Sequence, residues 1–364
     1  MRVTLSLFYL FYFALVGVYI IFMPKVLIDL GYSSTEVGVI YAVAPFMRFL
    51  LPFLFQHLIK LNHKIYLLSL VFTFVATLIF LGTVENFYLY IFANLLFGAS
   101  MGISLPFVET IALQQISRKE YGRIRLWGSV GFILIALWLG KILSSPYEAL
   151  YYLSSTAMMT LIVGYFALQY DKHRERAKQE SDSSFSLHRY WAFWASLFLM
   201  QLAFGGFYNF FTIYEVEHGI SLEMVSWMWT FGVVCEIVML YFQGSLLERN
   251  LLTILKISIA VTALRWMILY LYPDSITITF ASQSLHAISF ALYHTTLITY
   301  VFSLYSQKVL AQQFLLGIGF GLGGSIGALF SGWIYGEYLF LIEAIVTVGA
   351  FVMIVIHARR CEQN

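Results

Sequence analysis

The amino-acid sequence predicts an all-α membrane protein whose twelve transmembrane helices form two related six-helix halves. Of its 364 residues, 60% are hydrophobic and only 11% are charged, whereas a soluble domain has about 25% charged residues. The apolar residues form runs of the length, about 20 residues, that a helix needs to cross the hydrocarbon core of a bilayer. A long hydrophilic stretch lies at the midpoint of the chain, between the sixth and the seventh run.

Twelve runs are long and apolar enough to be membrane helices. The first follows Arg2, but it is too long for a signal peptide and lacks a small-residue cleavage site, so we assign it as the first helix. The two cysteines, Cys235 and Cys361, are too far apart in the chain to predict a disulfide or a metal site. The predicted helices cover residues 5–24, 37–57, 65–83, 87–115, 124–143, 149–169, 190–214, 222–247, 251–272, 275–304, 309–334 and 338–357.

The basic residues predict how the helices are oriented. One side of the membrane receives only Lys25 and Lys141. Cytoplasmic loops carry an excess of Lys and Arg, so both termini are predicted to be cytoplasmic, and we expect the protein in the inner membrane of a bacterium. The other, basic side receives Arg2, Lys60, Lys64, Arg118, Lys119, Arg123, Lys172, Arg174, Arg176, Lys178, Arg189, Arg249, Lys256, Lys308, Arg359 and Arg360.

The hydrophilic stretch divides the chain into two comparable parts. We predict an N-terminal bundle over 1–170, a cytoplasmic linker over 171–189, a C-terminal bundle over 190–357 and a cytoplasmic tail over 358–364. The interval from Gly31 to Arg48 equals that from Gly219 to Glu236, since 48 − 31 and 236 − 219 are both 17. The segments around Glu109 (LPFVET) and His294 (FALYHT) also match. These pairs indicate a duplication that places ionisable residues at matched depth.

Charged residues inside or near the ends of the predicted helices are the main indication of function. A charge at mid-bilayer costs from about 2.5 to more than 10 kcal/mol, so such residues usually face partners or a water-filled pathway. This pattern predicts transport rather than catalysis, because the sequence has no His-rich metal cluster and no recognisable activated nucleophile. The charges concerned are Arg48, Glu109, Arg125, Glu236 and Arg265.

Glu109 and Arg125 are predicted to form a pair. They lie at similar distances before and after the turn at residues 117–120. At a rise of 1.5 Å per residue, this spacing brings them to similar depth on neighbouring antiparallel helices. A buried pair of this kind can hold two helices together or contact a substrate, and we favour the contact with substrate.

The residues around this pair resemble helices four and five of lactose permease, a major facilitator transporter. The resemblance rests on Val108-Glu109 and on the segment from Tyr121 to Gly128 (YGRIRLWG), and it implies a major facilitator fold with Glu109 and Arg125 at the substrate site. Two departures matter. Ser289 stands where that permease has a carboxylate central to proton coupling, and Gln201 and Gln283 stand at two further charged positions.

A closer resemblance is to the 3-phenylpropionate permease branch, and several residues carry it. The shared features are the YGxxRLWGS segment, an arginine in the second helix, a glutamate late in the eighth, an Arg-Trp pair in the ninth and two histidines in the tenth. The resemblance implies proton-driven uptake of a small organic acid or a related compound. The matching residues here are Arg48, Glu236, Arg265, Trp266, His286 and His294.

Each candidate residue has a structural alternative to its functional role. Glu236 is our first candidate for the group that takes up the proton, assisted by His286, His294 and Arg265, because burial can bring a carboxyl into the physiological range and histidine titrates there. A buried histidine is also often only a satisfied polar residue. Arg48 suits anion binding through its planar fork, although a bond to a carbonyl would satisfy it as well. Further candidate contacts to the substrate are Tyr19, Trp127 and Asn209.

The sequence therefore predicts a proton-coupled symporter that imports a small organic solute by alternating access. The solute is an aromatic or other organic acid, or else a sugar or nucleoside. The alternatives are a proton-driven efflux pump and a membrane sensor or binding protein that does not transport. We expect a monomer in the lipid bilayer that needs no cofactor or metal, binds no nucleic acid and is not an enzyme.

Overall fold

The computed structural model describes residues 1–57, 62–115, 118–171 and 186–363. Twelve helices in this part of the chain are long and apolar enough to cross a membrane, and no β-strand occurs in it. The predicted all-α class is confirmed. In chain order the helices are α1 Arg2–Asp29, α2 Ser34–His57, α3 His63–Thr83, α4 Phe87–Gln115, α5 Arg118–Ile142, α6 Pro146–Tyr170, α7 His188–Glu217, α8 Leu222–Phe242, α9 Leu251–Leu271, α10 Ile276–Leu304, α11 Leu310–Ile334 and α12 Leu339–Gln363.

The helix boundaries differ from the sequence prediction by up to about six residues. The last helix continues to Gln363, so most of the segment expected to be a tail is helical. Helix α7 starts at His188, inside the predicted linker. The rest of that linker, residues 172–185, lies outside the described residues.

Polar side chains cap the helices where the sequence supplies them. Asn62 and Asn250 accept backbone N–H bonds at the starts of α3 and α9, from Ile65 and Thr253. Ser145 and Glu148 form a capping box at the start of α6. A cap of this kind satisfies N–H groups that have no partner inside the helix.

The loop glycines of the predicted duplication have matching structures. Gly31 follows α1 with φ +95° and Gly219 follows α7 with φ +84°. After each helix, the glycine N–H donates to the carbonyl three residues back and the next N–H donates to the carbonyl five residues back. This is the Schellman ending, which favours glycine in the left-handed region. The two helices therefore terminate in the same way.

The described chain divides into two compact units. The first contains residues 1–171 together with Ser221–Thr230, the beginning of α8. In it, α1 packs along α5 and α6, while α3 and α2 pack along α4. The second contains residues 186–220 and 231–363. In it, α12 packs along α9 and α7, and α7 also packs along α11.

Glycines allow the closest approaches between helices. A Cβ on Gly131 of α5 would collide with the backbone of Leu10 in α1, and a Cβ on Gly98 of α4 would collide with Ala44 in α2. In the second unit, Gly205 of α7 faces the backbone of Gly327 in α11. Small residues at such crossings are how membrane helices gain close packing, since lipid provides no hydrophobic driving force between them.

Within the described residues, three membrane helices carry local π-helical turns and α7 is interrupted. The π turns are Val18–Phe22 in α1, Ala287–Leu292 in α10 and Leu315–Gly323 in α11. Helix α7 has a break between Trp191–Leu202 and Gly205–Glu217. Such irregularities often occur at functional sites because they leave backbone groups free and redirect side chains.

We predict that Gly131→Val destabilises the protein and that Gly82→Val does not. The new side chain at residue 131 meets backbone atoms of Leu10, which cannot turn aside, whereas a Cβ on Gly82 meets nothing within 4 Å. Overpacking costs about 1–3 kcal/mol. Thermal unfolding of the purified variants in detergent should show a lower midpoint for the first variant only. Equal midpoints would contradict the helix contact.

Candidate functional site

The ionisable residues predicted inside the membrane form two clusters, one within each unit. The Arg265 cluster of the second unit consists of Arg265, Gln283, His286, Ser289 and Glu236. The Glu109–Arg125 pair lies in the first unit. Each cluster is built from side chains on different helices, so folding is what brings its members together.

Arg265 of α9 is the centre of its cluster and has no exposed surface. Its Nη2 donates to Oε1 of Gln283 at 2.6 Å, and its Nη1 lies 3.0 Å from Nδ1 of His286. The hydroxyl of Ser289 is 3.4 Å from the same Nη1. The ring of Phe207 lies 4.1 Å from the guanidinium carbon. Three polar partners and an aromatic face thus replace much of the hydration that the buried charge has lost, while Nε has no hydrogen-bond partner among the described residues.

The Arg265 contact fixes the protonation pattern of His286. A guanidinium can only donate hydrogen bonds, so Nδ1 of His286 must be the acceptor. The proton of the neutral imidazole is therefore on Nε2, which faces Oε2 of Glu236 at 3.6 Å. That distance is longer than a hydrogen bond and describes an electrostatic contact. The three residues form a continuous line from a buried cation to a carboxylate on α8.

Helix α10 is locally distorted where it carries the cluster residues. A 3-10 turn covers Gln283–Leu285, and the π turn Ala287–Leu292 follows directly after His286. Gln283, His286 and Ser289, spaced three residues apart on this helix, all contact the same guanidinium.

His294 lies further along the same face of α10. The ring of Phe290 stacks on His286 with centroids 5.0 Å apart, and on His294 with centroids 6.0 Å apart. His294 is therefore separated from the Arg265 cluster by one aromatic ring. Its predicted share in proton coupling stays a prediction.

The Glu109–Arg125 pair joins α4 to α5 as the spacing predicted. Nε of Arg125 lies 3.5 Å from Oε1 of Glu109, and each side chain is about one third exposed, at 34% and 32%. The rings of Phe13 and Tyr9 on α1 lie 4.1 and 5.3 Å from the guanidinium carbon of Arg125. Like Arg265, this arginine has aromatic rings beside it, but unlike Arg265 it stays partly accessible.

Arg48 of α2 is exposed, and it belongs to the surroundings of the same pair. The charges of Arg48, Glu109 and Arg125 all act on the hydroxyl of Tyr12 in α1. That hydroxyl donates to the carbonyl of Met101 at 3.1 Å. Tyr12 was not predicted from the sequence, and nothing in its apolar surroundings there distinguished it from the other tyrosines of the first helix.

Three further candidates lie apart from the clusters or are engaged elsewhere. Tyr19 is buried, and its hydroxyl donates to Oδ1 of Asn94 at 2.7 Å. The amide of Asn209 donates to the carbonyl of Gly205 in its own helix at 2.7 Å. Trp127 is 46% exposed, and at two residues from Arg125 it points to nearly the opposite side of α5. Their roles at a substrate site stay predictions.

The structure also adds residues that the sequence reasoning passed over. Gln283 and Ser289 were noted only as missing charges, yet they are direct partners of Arg265. Glu343 of α12 and Glu215 of α7 are carboxylates inside membrane spans with no exposed surface. The rule that selected the other in-membrane charges would have found both glutamates.

The described residues contain twelve membrane helices, and each of the two units holds charged side chains within these helices, which is the architecture of a membrane transporter of the major facilitator type. Comparisons with known proteins identify the family: residues 2–342 match the model described as the MFS_1 like family, and the chain belongs to that family. It is 24% identical over 367 residues to a probable 3-phenylpropionic acid transporter of Escherichia coli (strain K12), covering 95% of each chain. It is also 24% identical to the uncharacterized transporter YwbF of Bacillus subtilis (strain 168), covering 91% of this chain and 86% of the relative.

Solved structures show the same fold. A crystal structure of the nucleoside transporter NupG superposes with a TM-score of 0.78 and 18% sequence identity, covering 98% of this chain and 98% of that one. A bacterial homologue of the human lysosomal transporter Spinster superposes with a TM-score of 0.71 and 13% identity, covering 98% and 96%. At these identities the likeness concerns the fold alone. The predicted resemblance to the 3-phenylpropionate permease branch is confirmed by the sequence relatives.

We predict that Nδ1 of His286 carries no proton and that Nδ1 of His218 carries one. His286 accepts at Nδ1 from Arg265, whereas Nδ1 of His218 lies 2.7 Å from the carbonyl of Tyr214 and must donate. Histidine ¹⁵N NMR of the protein in nanodiscs should therefore show the Nε2–H form for His286 and the Nδ1–H form for His218. His286→Asn and His218→Asn assign the two signals. Finding one tautomer at both positions would contradict the assigned hydrogen bonds.

Proposed function

We propose that this transporter is a proton-coupled symporter that imports a small organic acid by alternating access. It acts as a monomer in the inner membrane of a bacterium, with both termini in the cytoplasm. The single observation that carries the proposal is the line from Arg265 through His286 to Glu236. Glu236 is the carboxylate proposed to take the proton, and Arg265 is a fixed cation on the other side of His286.

Glu236 is the member of this line whose protonation breaks no hydrogen bond to Arg265. Protonating His286 requires a proton on Nδ1, and that atom already accepts from Arg265 at 3.0 Å. The Arg265 contact must therefore break before His286 becomes a cation. Glu236 is 21% exposed, and its Oε2 lies 3.6 Å from Nε2 of His286, beyond hydrogen-bond distance. A proton can reach it without disturbing the buried guanidinium, and neutralising it removes the charge that His286 faces.

The first unit offers the chemistry to bind an organic acid. Arg125 is accessible, and its planar fork suits a carboxylate. Phe13 and Tyr9 place aromatic faces beside it, as a substrate with a phenyl ring requires. The Escherichia coli relative is named as a probable 3-phenylpropionic acid transporter. The site chemistry and the relative's name together support an aromatic acid as the substrate class. The charges of Arg48 and Glu109 then contribute to the net charge of the site.

Proteoliposomes with an inward proton gradient should accumulate labelled 3-phenylpropionate above the outside concentration. A proton ionophore should abolish the accumulation and leave exchange of internal for external substrate. Liposomes without protein are the control, because an undissociated aromatic acid crosses lipid by itself. Accumulation that ignores the proton gradient would rule out coupling. Extrusion against the substrate gradient would identify a pump, and saturable binding without exchange would identify a sensor.

We predict that Glu236→Gln abolishes uphill uptake and spares exchange. The amide keeps the size of the side chain but cannot gain or lose the coupling proton. Glu223→Gln is the matched control, since Glu223 is a glutamate in the first turn of the same helix, away from the Arg265 cluster, and it should transport like the natural protein. The measurement compares gradient-driven accumulation with counterflow in the same vesicles. Uphill uptake by Glu236→Gln would remove Glu236 from the mechanism.

A further inference from the structure

Glu343 of α12 is a fully buried carboxyl group outside the two clusters, and it contacts the break in α7. Its Oε1 accepts a hydrogen bond from the backbone N–H of Gly206 and another from the hydroxyl of Ser331 in α11 at 3.0 Å. Both Glu343 and Ser331 have no exposed surface. One side-chain oxygen thus connects three helices at a single point of the second unit.

The N–H of Gly206 needs such an acceptor because α7 is interrupted. The second part of the helix starts at Gly205 after a turn at Ala203 and Phe204. The first N–H groups of a helix have no partner within it, and inside a membrane an unsatisfied N–H is costly. Glu343 satisfies one of them from outside the helix. The break in α7 is therefore stabilised by a side chain of α12.

Only glycine allows this contact at residue 206. A Cβ there would lie closer than 3.0 Å to the carboxyl atoms of Glu343, which are the three nearest atoms to that position. The close approach and the hydrogen bond belong together. Both depend on the same carboxyl group.

The residue after Gly206 leads directly to the Arg265 cluster. The ring of Phe207 lies 4.1 Å from the guanidinium carbon of Arg265 and 5.8 Å from the ring centroid of His286. Phe207 is itself buried. The backbone that Glu343 holds is thus one residue from the aromatic face that covers the buried cation.

We propose that Glu343 is a positioning residue, which fixes the start of the second part of α7 and so holds Phe207 against Arg265 and His286. Glu343 acts through the backbone of Gly206 and not by a direct bond to the cluster. Its function needs an acceptor oxygen and does not need a negative charge. This inference rests on the proposed function only for the experiments that measure uptake.

The test compares Glu343→Ala, which removes the acceptor, with Glu343→Gln, which retains it. Thr347→Ala is the matched control: Thr347 is buried one turn further along α12, and its hydroxyl donates within that helix, to the carbonyl of Glu343 at 2.8 Å. Hydrogen exchange of the segment around Gly206 and Phe207, read by mass spectrometry, needs no substrate. Glu343→Ala should raise exchange there about tenfold, as expected for one lost buried hydrogen bond, while Glu343→Gln and Thr347→Ala leave it unchanged.

Transport and histidine NMR then show whether the contact positions the cluster. Glu343→Ala should lower the maximal rate of proton-driven uptake more than it raises KM. The NMR spectrum of this variant should show both neutral tautomers of His286. Glu343→Gln should give the uptake rate and the single His286 tautomer of the natural protein. If Glu343→Gln keeps the protection but fails in transport, the charge or a proton on Glu343 is what matters and the positioning role is wrong. Unchanged exchange in Glu343→Ala also overturns it. If the natural protein shows no proton-driven uptake, the proposed function is wrong, but the hydrogen-exchange result still tests the role of Glu343.

A double variant keeps the test informative if Glu343→Ala folds poorly. Gly206→Ala alone should unfold at lower temperature because its Cβ meets the carboxyl of Glu343. Adding Glu343→Ala removes that obstacle, so the double variant should melt higher than Gly206→Ala yet show no protection at residue 206. Restored protection without any acceptor would contradict the proposal.

Discussion

The need to satisfy a buried guanidinium is the constraint on which the second unit depends. Arg265 has no exposed surface, and removing a charge from water costs several kcal/mol unless partners replace the hydration. The chain supplies these partners from neutral groups: an amide oxygen, an imidazole nitrogen, a hydroxyl and the face of a phenylalanine. Because these groups lie on α7 and α10, the charge on α9 determines how three helices are arranged around it.

Neutral partners also explain the position of the ionisable carboxylate. A carboxylate bonded directly to Arg265 would be held ionised by its cation. Here His286 stands between them, so Glu236 is not bonded directly to Arg265 and lies further from its charge. This spacing suits the role proposed for Glu236, which is to gain and lose a proton. The serine and glutamine at residues 289 and 283 are compatible with that proposal.

The two clusters differ in accessibility, and this suits different tasks. The Arg265 cluster is closed around its cation, whereas Glu109 and Arg125 are each about one third exposed and are 3.5 Å apart. A loosely held, accessible arginine can exchange its carboxylate partner for that of a ligand. A closed one is suited to holding a fixed charge.

The sequence alone determined the features that depend on chain-local physics. Apolar length predicted the twelve helices, the equal glycine-to-charge intervals predicted the matched loops at Gly31 and Gly219, and the helical rise predicted the pairing of Glu109 with Arg125. Only the tertiary structure decided that Gln283 and His286 are the partners of Arg265 and that Glu343 reaches Gly206. These contacts join residues on different helices, or depend on a helix break or a π turn. Hydrophobic periodicity does not predict contacts between helices or the position of a break or π turn, because side-chain direction at such irregularities is set by the packing of neighbouring helices.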